Sequence, residues 1–187
     1  PNLFSDFYRD LSHVGARREI APLIVNPDTP IKDTERGTVR VPARPTNAIK
    51  KAVAGDELPA GVNLVLVTYS QLCQAGSAKV DWLCRIAENA KSGVQVIVDE
   101  SHNASGDSNT SQNVRRILEA SGRPPIFSSA TYAKRPDNLA VYASVLPALF
   151  RNDDIALLLR QGGAPLQEAY SQMLAEDGVL IRREHDL

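Results

Sequence analysis

Three short apolar runs, each ending in polar residues, constrain the fold of this chain more than any other feature. They are Val62 to Thr68, Val94 to Val98 and Ile126 to Ser128. Runs this short and nearly free of charge suit strands covered on both faces, the usual condition of a parallel sheet. The stretches between them have helical spacing. Ser77 can cap a helix that places Val80, Leu83, Cys84, Ala87 and Ala90 inward. A second helix buries Val114, Ile117 and Leu118 and is closed by Gly122. Strands alternating with helices predict an α/β fold, a parallel sheet with helices on both faces.

The flanks extend this pattern. Asn2 to Val14 reads as an amphipathic helix with Leu3, Phe7, Leu11 and Val14 on one side, ended by Gly15, and Pro22 to Val25 reads as a strand. Asn26 to Pro59 is rich in Pro, Thr and charge, and reads as a long surface excursion. It has room for a hairpin around Thr38 to Val41 and a helix near Ala48 to Ala54. Beyond Asn138 the pattern turns helical. One helix carries Leu139, Tyr142, Val145, Leu146 and Leu149, and two more run through Ile155 to Leu159 and Leu166 to Leu174 with Tyr170 and Met173. Val179 to Ile181 reads as a terminal strand. The expected division is therefore 1–137 for the α/β body and 138–187 for a mostly helical extension.

Composition narrows the function classes. Of the 187 residues 43% are hydrophobic and 23% charged, with a net charge of −1. The core can be sizeable, but a domain that clamps nucleic acid by bulk charge alone would be more basic. Cys73 and Cys84 have apolar neighbours and form no Cys/His cluster, so they read as reduced core thiols of an intracellular protein. No apolar run approaches the roughly 20 residues that span a bilayer.

The chemistry concentrates at two run ends. Asp99-Glu100-Ser101-His102 follows the second run, where ligands of open α/β sheets bind. Adjacent acids there are costly unless they meet a cation or a proton-transfer partner. In nucleotide-hydrolysing enzymes the first such acid holds Mg²⁺ and the second orients the attacking water. The bland alternative is an acidic pair that caps its loop. Ser128-Ser129-Ala130-Thr131 ends the third run, one crossover helix later. Small hydroxyls there can bond to the acidic turn, although Ser-Ala-Thr alone is a common strand end.

Together, Asp-Glu-x-His and Ser-Ala-Thr one β-α-β unit apart resemble motifs II and III of superfamily 2 helicases of the DEAD/DEAH kind. Thr68-Tyr69-Ser70-Gln71-Leu72 resembles the strand-end motif upstream of the acids in that superfamily. Pro1-Asn2-Leu3-Phe4 with the following helix resembles motif Ia. Within the superfamily, Phe7-Tyr8-Arg9-Asp10-Leu11, Asp-Glu-Ser-His and Ser-Ala-Thr-Tyr followed by Pro136, Asn138 and Leu139 look most like the strawberry-notch type. Paired Arg182 and Arg183 near the end also fit.

The resemblance implies the first RecA-like (P-loop NTPase) motor domain of an ATP-dependent helicase or translocase. By it, Asp99 would bind Mg²⁺ with the nucleotide, Glu100 would be the catalytic base and His102 would couple the nucleotide to motif III. Ser129, Ala130 and Thr131 would link hydrolysis to movement. Asn2, Thr68, Tyr69, Ser70 and Gln71 would lie on the path of a nucleic acid, DNA before RNA. From the residues alone, Tyr69 equally suits a core position, His102 a loop-ordering donor, and the arginine pair a solvated end. The implied compartment is the cytoplasm for a bacterial or phage parent and the nucleus for a eukaryotic one.

One part of that machine is absent. None of the 11 glycines is followed by Lys, so no Gly-x-x-x-x-Gly-Lys-Ser/Thr loop exists to cradle phosphates. In the superfamily that loop precedes motif Ia, with which this chain opens. The expectation is a motor domain truncated at its amino end, whose loop and second RecA-like domain belong to a longer parent. Such a piece would bind ATP and Mg²⁺ weakly and hydrolyse nothing alone. It would also leave a sheet edge able to pair with a second copy. Two other classes stay open: a non-catalytic nucleic-acid-binding or protein-interaction module, and a metal-dependent hydrolase using Asp99, Glu100 and His102 directly.

Overall fold

The computed structural model describes residues 3–25, 30–33, 37–40, 44–129, 141–147 and 153–181. Helices α1 (Leu3–His13), α2 (Arg44–Gly55), α3 (Ala78–Asn89), α4 (Asn109–Ala120) and α5 (Asp153–Glu176) accompany strands β1 (Pro22–Ile24), β2 (Pro30–Asp33), β3 (Gly37–Arg40), β4 (Leu64–Leu66), β5 (Ile97–Val98) and β6 (Ile126–Phe127). β1 pairs with β4 and β5 with β6, both in parallel, while β2 and β3 form an antiparallel hairpin. The fold is mixed helix and strand with short parallel pairs, in keeping with α/β. The chain divides into two compact units, Pro1–Asn89 and Ala90–Leu187. The boundary expected at 137/138 lies outside the described residues.

In the first unit the side-chain alternation of a strand decides the layering. Leu23 and Val25 pack with Ala52 of α2 and Trp82 of α3, joined by Val65 and Val67. Ile24 faces the other way, against Phe4, Tyr8 and Leu66. Helix residues thus lie against both faces of the β1–β4 pair, although the run 62–68 yields only the three-residue β4, each residue of it half-buried. Asn63 continues the pairing beyond the strand: its Oδ1 accepts from the Ala21 N–H at 2.8 Å and its Nδ2 donates to the Glu19 carbonyl at 2.7 Å.

Two helix faces differ from the expected ones. On α1 the buried residues are Phe4 and Leu11, with Tyr8 beside them, and Phe7 is half-buried. Val14, expected inward, is 74% exposed, because the helix has already ended. On α3 the expected Val80, Cys84 and Ala87 are buried, but so is Trp82, fully, on the opposite side. A helix buried on two sides defeats a reading that seeks one apolar stripe.

The second unit departs further. The run 94–98 yields only a two-residue strand. Pro124 and Pro125 precede β6 and have no N–H to offer, so the ladder begins where Ile126 N–H reaches the Val96 carbonyl at 2.9 Å. Nor is this pair covered on both faces: Ile97 and Ile126, directly opposite each other, are 65% and 53% exposed. α4 forms as expected, with the Ser108 hydroxyl accepting from Ser111 N–H and with Val114 and Leu118 buried. Of the helix expected through Leu139 to Leu149 only 141–147 lie among the described residues, and these form a tight turn, Leu146 N–H and Val145 N–H both reaching the Tyr142 carbonyl.

The two helices expected between Ile155 and Leu174 are the halves of α5. Gly163, at φ 60° and ψ −155°, separates them in a conformation essentially reserved for glycine. Leu159, Tyr170 and Leu174 are buried, whereas Leu166 and Met173, expected inward, are 41% and 48% exposed. No terminal strand forms at 179–181. Gly178, at φ 71°, closes α5, with Val179 N–H to the Leu174 carbonyl and Gly178 N–H to Ala175. Among the described residues no helix is long and apolar enough to cross a membrane.

Candidate functional site

β5 ends in a hairpin-tight change of direction. Val98 is buried, Asp99 and Glu100 are exposed, and Ser101–Ala104 form a single 3₁₀ turn. Glu100 sits at φ 48°, ψ 48°, in the left-handed region. For a residue with a Cβ this costs about 1–2 kcal/mol and persists only where the surroundings hold it.

The neighbouring strand β6 ends beside this turn. Ser101 N–H donates to the Ser128 carbonyl at 2.9 Å, carrying the parallel ladder past the strands themselves. His102 Nδ1 lies 3.1 Å from Ser129 Oγ and 3.3 Å from Glu100 Oε2. We assign a ring proton to Nδ1, since an unprotonated nitrogen would set its lone pair against the carboxylate's. Nδ1–H then donates toward both oxygens. The side chains of His102 and Glu100 are 37% and 56% exposed, so water weakens the contact to well under about 1 kcal/mol. Its value is orientation: it favours one position of the Glu100 carboxylate without locking it there.

The same geometry argues against a Ser-His-Glu nucleophile. Such a triad needs the hydroxyl on one ring nitrogen and the acid on the other, so that the ring can take the hydroxyl proton. Here both partners meet one nitrogen. Ser129 is therefore placed to receive a hydrogen bond from the ring, not to attack a substrate.

Among the described residues no group of three His, Cys, Asp or Glu side chains converges on one point. Mg²⁺ takes one or two carboxylates and completes its shell with water and phosphate oxygens. Asp99, exposed at the strand end, offers one such carboxylate.

The other expected site residues fall elsewhere. Thr68–Gln71 belong to the first unit, the acidic turn to the second. Tyr69–Gln71 form a 3₁₀ turn directly after β4. Thr68 Oγ1 and Ser70 Oγ are 2.9 Å apart, and Lys79 Nζ donates to Gln71 Oε1. Tyr69 is half-buried and Ser70 exposed. Asn2, Ala130 and Thr131 lie outside the described residues, as do Arg182 and Arg183. Two residues at the acidic turn escape the sequence reading as site residues. Ser101 is fully buried, and its Oγ is 2.8 Å from the Tyr142 hydroxyl. Ser101 carries a weak signal, a small polar residue between two functional ones. Tyr142, 41 positions away, carries none beyond its place in an apolar pattern.

The chain matches no family model, no curated protein and no solved structure.

Proposed function

We propose that this chain is part of the first motor domain of a superfamily 2 helicase or translocase, RecA-like in fold and nearest the strawberry-notch type. One observation carries the reading. The acidic turn and the Ser128-Ser129 strand end stand on parallel neighbours, β5 and β6, and His102 joins them. Motifs II and III require that adjacency. Placement on unrelated elements would have removed the basis for the assignment.

In this reading Asp99 holds the metal that accompanies the nucleotide, through its exposed carboxylate. Bound Mg²⁺ supplies positive charge beside the phosphate oxygens as their charge redistributes. Glu100 takes a proton from the attacking water, its carboxylate oriented by His102 Nδ1–H. His102 and Ser129 pass any shift of that carboxylate to the end of β6, and from there to the Ala130-Thr131 segment. Thr68–Gln71, with Asn2, lie along the nucleic acid, DNA before RNA. A phosphate-cradling loop must come from outside these 187 residues, because none of their glycines begins one.

The test uses the polypeptide that carries these residues together with such a loop. Glu100→Gln should lower nucleic-acid-stimulated ATP hydrolysis by about 10²–10⁴-fold, the worth of a positioned base, and leave nucleotide binding nearly intact. The 187-residue chain alone should show no hydrolysis. Hydrolysis by the loop-bearing polypeptide that survives Glu100→Gln unchanged would sink the assignment, and so would no hydrolysis or nucleic-acid binding at all, the outcome of a non-catalytic interaction module.

A further inference from the structure

The strained backbone at Glu100 needs something to hold it, and its own side chain does not suffice. The contact with His102 is half-exposed and screened by water. The next residue is tied far more firmly. Ser101 is 0% exposed, its N–H is bound to the Ser128 carbonyl at 2.9 Å, and its hydroxyl is paired with the Tyr142 hydroxyl at 2.8 Å. With backbone donor and side chain both fixed, Ser101 cannot rotate without breaking a buried hydrogen bond. The peptide linking it to Glu100 is fixed with it.

Tyr142 is itself anchored. It is 5% exposed, between Val141 at 3% and Leu146 at 4%, and its carbonyl closes the turn to Val145 and Leu146. Its ring stands edge-to-face on Phe127, with centroids 4.8 Å apart and planes at 78°. Phe127 is the last residue of β6, two before Ser129. One side chain therefore touches both arms of the candidate site, the turn after β5 through its hydroxyl and the end of β6 through its ring.

We infer that Tyr142 is a positioning residue of this site: by pinning Ser101 it holds Glu100 in the left-handed conformation that brings its carboxylate to His102 Nδ1, the nitrogen that Ser129 Oγ also meets. The inference deepens the motor reading and rests on it for the catalytic meaning of Glu100. The hydrogen-bond relay itself stands on geometry alone. It makes the protonation pattern of His102 depend on a hydroxyl that never touches it. Without the pin, Glu100 relaxes toward ordinary backbone angles and Nδ1 loses the charged one of its two acceptors, keeping only Ser129 Oγ. Neutral imidazole then returns toward the Nε2–H form usual in solution.

The experiment is imidazole nitrogen and carbon NMR on the full chain at about pH 8, above the ordinary histidine range, with His13 and His185 as internal references. The observable is the ratio of Nδ1–H to Nε2–H forms at His102. Tyr142→Phe keeps the ring on Phe127 and removes only the hydroxyl. It should lower the ratio about twofold, because the half-exposed contact that it releases at His102 is a weak one. Ser101→Ala should do the same, and the double variant should add nothing, because both remove one bond. Phe127→Leu should lower thermal stability and leave the ratio at the wild-type value.

An unchanged ratio in Tyr142→Phe overturns the inference. An equal shift in Phe127→Leu also overturns it, since Tyr142 would then be ordinary packing. Should Tyr142→Phe fail to fold, Ser101→Ala decides alone. None of these results depends on ATP hydrolysis, so the motor reading can fail while the relay stands, and the reverse.

Discussion

The two parallel strand pairs of this protein are built from similar apolar runs and end up in opposite conditions. In the first unit β1 and β4 are covered on both faces, Leu23 and Val25 against Trp82 and Ile24 against Phe4. In the second, Val98 is buried while Ile97 and Ile126 stand more than half exposed. The fully buried side chains differ as well. Among the described residues the largest fully buried side chains of the first unit are Trp82, Val25 and Val80, whereas those of the second are Ser101, Ser111 and Ser121, with Ala104 beside them. Apolar contact is non-directional and tolerant of small shifts; buried hydroxyls work only at one geometry. The unit that carries the candidate chemistry is the one shaped by directional bonds, as a site that must aim a carboxylate requires.

Substitutions can break or sharpen this contrast. The largest effect is expected in the first unit. Trp82→Ala should destabilise by about 3–5 kcal/mol, through lost burial and the cavity left behind. Its indole N–H, buried with no hydrogen-bond partner among the described residues, makes Trp82→Phe the milder change. Denaturant unfolding measures both, and a Trp82→Ala loss below about 1 kcal/mol, the level of an exposed site, would deny that this cluster is the core.

An intermediate effect belongs to the hydroxyl framework. The Ser121 hydroxyl donates to the Leu118 carbonyl at 2.7 Å and lies 3.1 Å from that of Arg123, at the turn leading toward β6. Ser121→Ala should cost about 0.5–1.5 kcal/mol, the worth of a lost hydroxyl hydrogen bond, since the Leu118 carbonyl keeps its bond from the Ser121 N–H. Amide exchange should rise first at 92–96, because Val94 N–H is bound to the Ser121 carbonyl at 2.7 Å. Exchange that rises uniformly instead would count against local shaping.

The smallest effect tests the open face. Ile97→Thr should stay within about 0.5 kcal/mol, since an exposed β-branched residue gives up little on exchange for another. A cost like that of a covered strand, about 2 kcal/mol or more, would mean that the face is buried in the protein as it exists. Concentration dependence of that cost would identify a second copy as the cover.

Much of this fold is legible from residue order because it is local. α4 announces itself through Val114, Ile117 and Leu118 at helical spacing with Gly122 beyond them, and the two halves of α5 through two separate apolar patterns. What misleads is the assumption of one apolar stripe per helix. It rotates the inner face of α1 by one residue, overlooks Trp82, and turns Leu166 and Met173 inward. Tyr142 is legible as apolar but not as a tie to Ser101, because a hydroxyl pair 41 positions apart leaves no local trace.

The sequence by itself determined the apolar runs, the polar tips Asp99-Glu100-Ser101-His102 and Ser128-Ser129 at their ends, and the absence of a phosphate-cradling loop. These are matters of composition and spacing along one strand or helix. Only the tertiary structure decided that the two tips stand on neighbouring strands, that one imidazole nitrogen serves both Glu100 and Ser129, and that Ser101 is locked to Tyr142. The reason is register: a strand's side chains alternate with a period of two, so a slip of one residue in the β5–β6 pairing would turn every one of those groups away.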